Sequence, residues 1–169
     1  DHELPLAIMD RSFNADGSLF YPDARRFFDG YAGPFTPANA MPPIWVPEFF
    51  ANCMTVNGRT WPHHAVEPRR YRLRILNACN SRFLILRFSD PNVETWQIGS
   101  DGGLLRTPVR LRDVLLAPAQ RTDLVVDFSR LAIGARVRLL NLGPDAPFRG
   151  AGEAAPADPD TSGQVMEFR

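Results

Sequence analysis

In Arg70-Tyr71-Arg72-Leu73-Arg74-Ile75 every second residue is apolar and the arginines fill the places between. Successive side chains of an extended backbone point to opposite faces, so this spacing specifies a half-buried β-strand and excludes an amphipathic helix. Leu4, Leu6 and Ile8 share a face near the start. Leu124, Val126 and Phe128 alternate with Asp123, Val125 and Asp127, and Val137 and Leu139 alternate with Arg136 and Arg138. Further strands are expected at Met54–Val56, Phe83–Phe88, Thr95–Ile98, Val109–Leu116 and Gln164–Phe168. Asn57-Gly58 follows Val56 and tolerates the positive φ angles of a tight hairpin turn. No stretch of 12 residues carries a helical stripe, and only a single turn is expected, at Asp127–Leu131. Proline, 16 of 169 residues, is about twice as frequent as usual and punctuates the short strands. About nine short strands broken by Pro and Gly predict an all-β sandwich or barrel.

A chain of 169 residues can bury roughly 70% of its unfolded surface in a single core, so residues 1–169 are read as one domain. Two stretches interrupt the strands: a long ordered loop at about 21–47 and an acidic, mobile surface loop at about 144–163, before a closing strand at 164–169. Nineteen Arg balance nineteen Asp and Glu, with no Lys. The net charge of zero argues against a nucleic-acid binder or a membrane-surface protein, both of which rest on clustered positive charge. Apolar runs such as Phe83–Leu86 fall far short of the roughly 18 residues of a membrane span. Asp1-His2-Glu3 is acidic where an export signal is basic, so a mature form or an excised piece is expected. Cys53 and Cys79 allow one disulfide or none and leave the compartment open.

Chemistry-bearing residues are sparse. His63 and His64 are adjacent, so on a strand they face opposite ways and cannot meet at one ion. A blue-copper centre needs Cys and two converging His, and the sequence holds neither His-x-His nor His-Cys-His. No metal is therefore expected in this segment. Asp101 sits in Gly99-Ser100-Asp101-Gly102-Gly103 as a turn residue, and Arg121 and Asp123 are read as ion-pair residues at the entry of a strand. Arg69, Arg70, Arg72 and Arg74 form a solvated or domain-contact face. A Gly-x-Ser-x-Gly elbow, a Gly-x-Gly-x-x-Gly loop and a Walker loop are all lacking.

Several segments in order resemble the middle domain of three-domain multicopper oxidases, in the subgroup of spore-coat laccase, bilirubin oxidase and phenoxazinone synthase. They are Leu4-Pro5-Leu6-Ala7-Ile8-Met9-Asp10-Arg11-Ser12-Phe13, Val56-Asn57-Gly58-Arg59-Thr60-Trp61-Pro62, Glu67-Pro68-Arg69-Arg70-Tyr71-Arg72-Leu73-Arg74-Ile75-Leu76-Asn77-Ala78, Ile98-Gly99-Ser100-Asp101-Gly102-Gly103-Leu104-Leu105, and Leu116-Ala117-Pro118-Ala119-Gln120-Arg121-Thr122-Asp123. The resemblance implies a cupredoxin-like Greek-key β-sandwich. It also implies copper in the flanking cupredoxin domains of the same chain rather than here, and a small aromatic substrate of the parent oxidase. Pro47, in Val46-Pro47-Glu48-Phe49, and Ser81 match positions that wall the substrate pocket. Glu48 stands where relatives carry a small residue, which implies a preference for amine or cationic aromatic substrates. The competing readings are a copper-free scaffold with the same architecture and a free-standing interaction module.

Overall fold

A computed structural model describes residues 2–21, 48–150, 152 and 155–169; most of the expected 21–47 loop, including Pro47, lies outside them. Strands β1 (Glu3–Phe13), β2 (Leu19–Phe20), β3 (Cys53–Val56), β4 (Arg59–Thr60), β6 (Arg70–Asn77), β8 (Glu94–Ser100), β9 (Gly103–Arg110) and β11 (Arg121–Asp127) make one sheet, ordered β4-β3-β1-β6-β11-β8-β9 with β2 paired to β1. Strands β5 (His63–His64), β7 (Leu84–Phe88), β10 (Val114–Leu116), β12 (Val137–Asn141) and β13 (Gln164–Phe168) make the other, ordered β10-β7-β12-β13-β5. From β4 onward the chain passes repeatedly from sheet to sheet, giving an all-β, cupredoxin-like Greek-key sandwich with no helix among the described residues. Parallel pairs β1–β6 and β13–β5 make both sheets mixed.

The period of two produces the core. Leu6, Ile8, Leu73, Ile75, Leu124 and Val126 from one sheet meet Leu84, Leu86, Leu139, Val165 and Phe168 from the other, all at most 5% exposed. Tyr71, Phe88, Phe128 and Phe168 stack edge-on or tilted, with ring centroids 5.1–5.9 Å apart. The stretch Val109–Leu116, expected as one strand, is two: β9 ends at Arg110 in one sheet and β10 starts at Val114 in the other. The intervening residues turn the corner, where Leu111 N–H bonds Thr95 O and Asp113 clasps the Arg87 guanidinium.

The arginines of β6 face outward onto carboxylates. Arg70 meets Asp127, Arg72 bridges Glu3 and Asp123, and Arg74 reaches Glu3. Hydrogen bonds from Ser129, then from Arg70, hold the Asp127 carboxyl at about 2, below its ordinary 3.8. A folded-state pKa below the unfolded one stabilises above the unfolded value, and that contribution disappears as pH falls toward the folded value. Unfolding in urea from pH 6 to 2 should therefore show stability dropping below about pH 4. Asp127→Asn, which does not titrate, should flatten that drop; an unchanged slope would remove Asp127 from the account.

Candidate functional site

Three strands end their inward rows on a polar residue. Leu6 and Ile8 lead to Asp10, Leu73 and Ile75 to Asn77, and Val137 and Leu139 to Asn141, each polar residue at most 1% exposed. Buried polar groups need partners, and these recruit loops as theirs. Asn77 Nδ2 donates to Arg82 O and Leu116 O, both at 2.9 Å, while its Oδ1 accepts Cys79 N–H at 3.0 Å. Asn141 Oδ1 accepts from Ile85 and Gly143 N–H, and its Nδ2 donates to Ser162 O.

Arg82 lies between these loops with a side chain of no exposed surface. Its Nε donates to Asp10 Oδ2 at 3.1 Å, Nη2 to Ala51 O at 2.7 Å, and Nη1 to Pro144 O at 3.3 Å and to Asp145 Oδ1. The Phe50 ring centroid is 5.6 Å from Cζ. Asp10 Oδ2 also takes Ala51 N–H at 2.9 Å, and Asp145 Oδ1 takes the Ser162 hydroxyl at 2.6 Å. Burial alone would raise the Asp145 carboxyl, but the Ser162 bond and the Arg82 charge prevail and hold it below the usual carboxylate range. Asp10 Oδ1 is buried with no hydrogen-bond partner among the described residues. Nearby Cys79 is buried, and burial, reinforced by the Asp10 charge, pushes its thiol well up and keeps it protonated. Two carboxylates on one enclosed guanidinium form a knot whose members cannot be removed singly without cost.

The knot gathers three segments distant in sequence: 48–51, 81–82 and 144–145. Glu48 is exposed and stands three residues before Ala51, whose N–H and C=O are both fixed by the knot. Ser81 precedes Arg82, and its hydroxyl donates to Asn80 Oδ1 at 2.8 Å. Asp145 keeps its carboxylate 42% exposed beside them. The Phe83 and Phe148 rings stack at 4.5 Å.

The other residues singled out in the sequence occupy turn and ion-pair positions. Asn57 (φ 50°) and Gly58 (φ 80°) make the hairpin turn, and the Asn57 amide also bonds Ala7 N–H and Pro5 O. Arg121 meets Asp101 rather than Asp123: Asp101 Oδ1 accepts its backbone N–H at 3.0 Å and lies 3.5 Å from Nη1. Asp123 instead accepts from Arg72. Cys53 and Cys79 are both free thiols, so the disulfide left open by the sequence does not form. His63 and His64 are exposed on β5, and among the described residues no three His, Cys, Asp or Glu converge as a metal-holding group. Adjacent on β5, His63 and His64 direct their imidazoles to opposite faces of the strand, so the two do not meet at one ion.

Arg82, Asp145, Asp10, Asn77 and Asn141 are the residues that sequence reasoning missed as a site. No family model matches the chain. It is 40% identical to a laccase of Bacillus subtilis over 100% of its own length and 29% of the relative's. It is 35% identical to the multicopper oxidase LPR1 of Arabidopsis thaliana over 99% of its length and 26% of the relative's. Among solved structures, a variant of the McoA multicopper oxidase from the hyperthermophile Aquifex aeolicus superposes with a TM-score of 0.73 at 30% identity, over 99% of this chain and 31% of that one. The chain thus spans about three-tenths of the length of the relatives it matches. Aligned throughout with these oxidases and sharing their sandwich, the chain belongs to the multicopper oxidase family, as a cupredoxin-like domain of it.

Proposed function

We propose that this chain is the copper-free middle domain of a three-domain multicopper oxidase. The parent oxidises phenolic, pyrrolic or aminophenolic compounds and reduces dioxygen to water. Full-length similarity to only about three-tenths of laccases and multicopper oxidases carries the reading. Copper held by the flanking domains supplies the electron transfer to dioxygen. This domain's own residues dock those neighbours and wall the substrate pocket through Pro47, Glu48 and Ser81. The test is the natural full-length protein, assayed for bound copper and for dioxygen uptake with a phenol as reductant. Copper-dependent uptake without released peroxide is expected; a full-length protein that binds no copper would overturn the reading.

Glu48 sets a preference for cationic aromatics in this reading, because its exposed carboxylate stands on the knot-braced segment. Glu48→Ala in the full-length oxidase should lower kcat/KM for aromatic amines relative to phenols by about threefold to fivefold, the scale of an exposed charge pair. Unchanged relative rates would place Glu48 outside the pocket.

A further inference from the structure

A second arrangement lies on the outward face of the five-stranded sheet. Register sets Arg138 of β12 beside Glu167 of β13, and Glu167 beside His63 of β5. Arg138 and His63 are exposed, whereas Val137, Leu139, Met166 and Phe168 between them are buried. Arg136 precedes Arg138 by two residues and Arg169 follows Glu167 by two, so both share the outward face. Arg169 Nε donates to Glu167 Oε1 at 2.6 Å, and with Arg136 and Arg138 it holds that carboxyl below the usual range. Arg138 Nε stands 3.9 Å from Glu167 Oε2, beyond hydrogen-bond length. One carboxylate among three guanidiniums leaves a surplus of positive charge, and the Arg138 fork is not committed to it.

Trp61 closes the other side. Its φ of 42° is left-handed, a region that costs energy for any residue with a side chain, and the ring is 42% exposed. Trp61 N–H to Met54 O at 3.2 Å holds that geometry. Together Trp61, His63, Arg138, Gln164, Met166, Glu167 and Arg169 line a cavity of about 140 Å³. We propose that this cavity binds a planar aromatic carboxylate, its ring against the Trp61 indole and its carboxylate on the Arg138 guanidinium. A planar fork matches a carboxylate through two parallel hydrogen bonds. The exposed Trp61 indole is the apolar surface presented, and it favours an aromatic ring over a bare inorganic anion.

The natural full-length protein would be titrated with benzoate, with acetate as the probe lacking a ring and benzyl alcohol as the probe lacking charge. Backbone amide shifts on β12 and β13 give the readout. Saturable benzoate binding is expected, at least about tenfold tighter than either control, and weaker when salt is raised. Arg138→Gln and Trp61→Ala should each weaken it at least about tenfold, and Glu167→Gln should strengthen it. Arg138→Gln alters an exposed strand position and keeps the test available should Trp61→Ala fail to fold. Equal affinity for benzoate and acetate, equal affinity for benzoate and benzyl alcohol, indifference to Arg138→Gln, or no saturation would each overturn the site.

Discussion

Arg82→Met is expected to destabilise the protein by about 3–5 kcal/mol, the cost of leaving buried charges without their partner. Methionine fills much of the arginine stem but offers no donor. Asp10, fully enclosed, would keep only Ala51 N–H on Oδ2, and Pro144 O and Ala51 O would lose their bonds from Arg82. Arg82→Lys retains the charge yet cannot donate in four directions from one plane, so an intermediate loss is expected. Adding Asp10→Asn to Arg82→Met should recover stability, because the amide removes the orphaned charge. Urea unfolding of the three variants checks the order, and a cost below about 1 kcal/mol for Arg82→Met would mean the knot is not structural. If Glu48 and Ser81 wall a substrate pocket as proposed, the same substitution in the natural full-length protein should raise KM for aromatic amines before it lowers kcat, since segments 48–51 and 144–145 lose their common anchor.

Much of this fold was legible because burial follows a period of two, and β1, β6, β11 and β12 display that period openly. The corner at Leu111–Asp113 was not, because apolar residues continue across it and the contacts that mark the change of sheet, Leu111 to Thr95 and Asp113 to Arg87, are distant in sequence. The knot left a local trace. Continuing the alternation Leu6, Ile8 by one step puts Asp10 on the inward face, and the same step after Ile75 and Leu139 puts Asn77 and Asn141 there. A polar residue at the last inward position predicts a buried hydrogen-bond hub. Its partners could not be read in advance, because Arg82 and Asp145 lie in irregular segments where no period applies. The ion-pair reading at Arg121 and Asp123 illustrates the same boundary. Both residues are paired, but their partners sit across neighbouring strands and turns, and register decides them.

Asn77→Ala is expected to cost about 3 kcal/mol or more, comparable with losing a large core side chain. The side chain is small, so the apolar contact removed is slight. What changes is that Cys79 N–H, Arg82 C=O and Leu116 C=O lose their side-chain partner together in an enclosed site. An unsatisfied buried backbone group costs roughly 1–3 kcal/mol, and water reaches none of these readily because Asn77 is wholly buried. Asn77→Asp sharpens the test. It keeps the acceptor for Cys79 but turns the donor facing two carbonyls into a second oxygen, so it should cost at least as much as Asn77→Ala near neutral pH. Lowering the pH restores a donor on the acid, and the gap between the two variants should then narrow. Denaturant unfolding at pH 7 and pH 4 reads both differences. If Asn77→Asp proved as stable as the parent chain at pH 7, the Arg82 and Leu116 carbonyls would not depend on the Asn77 donor, and the explanation of how the 78–82 loop is held against β10 would fall.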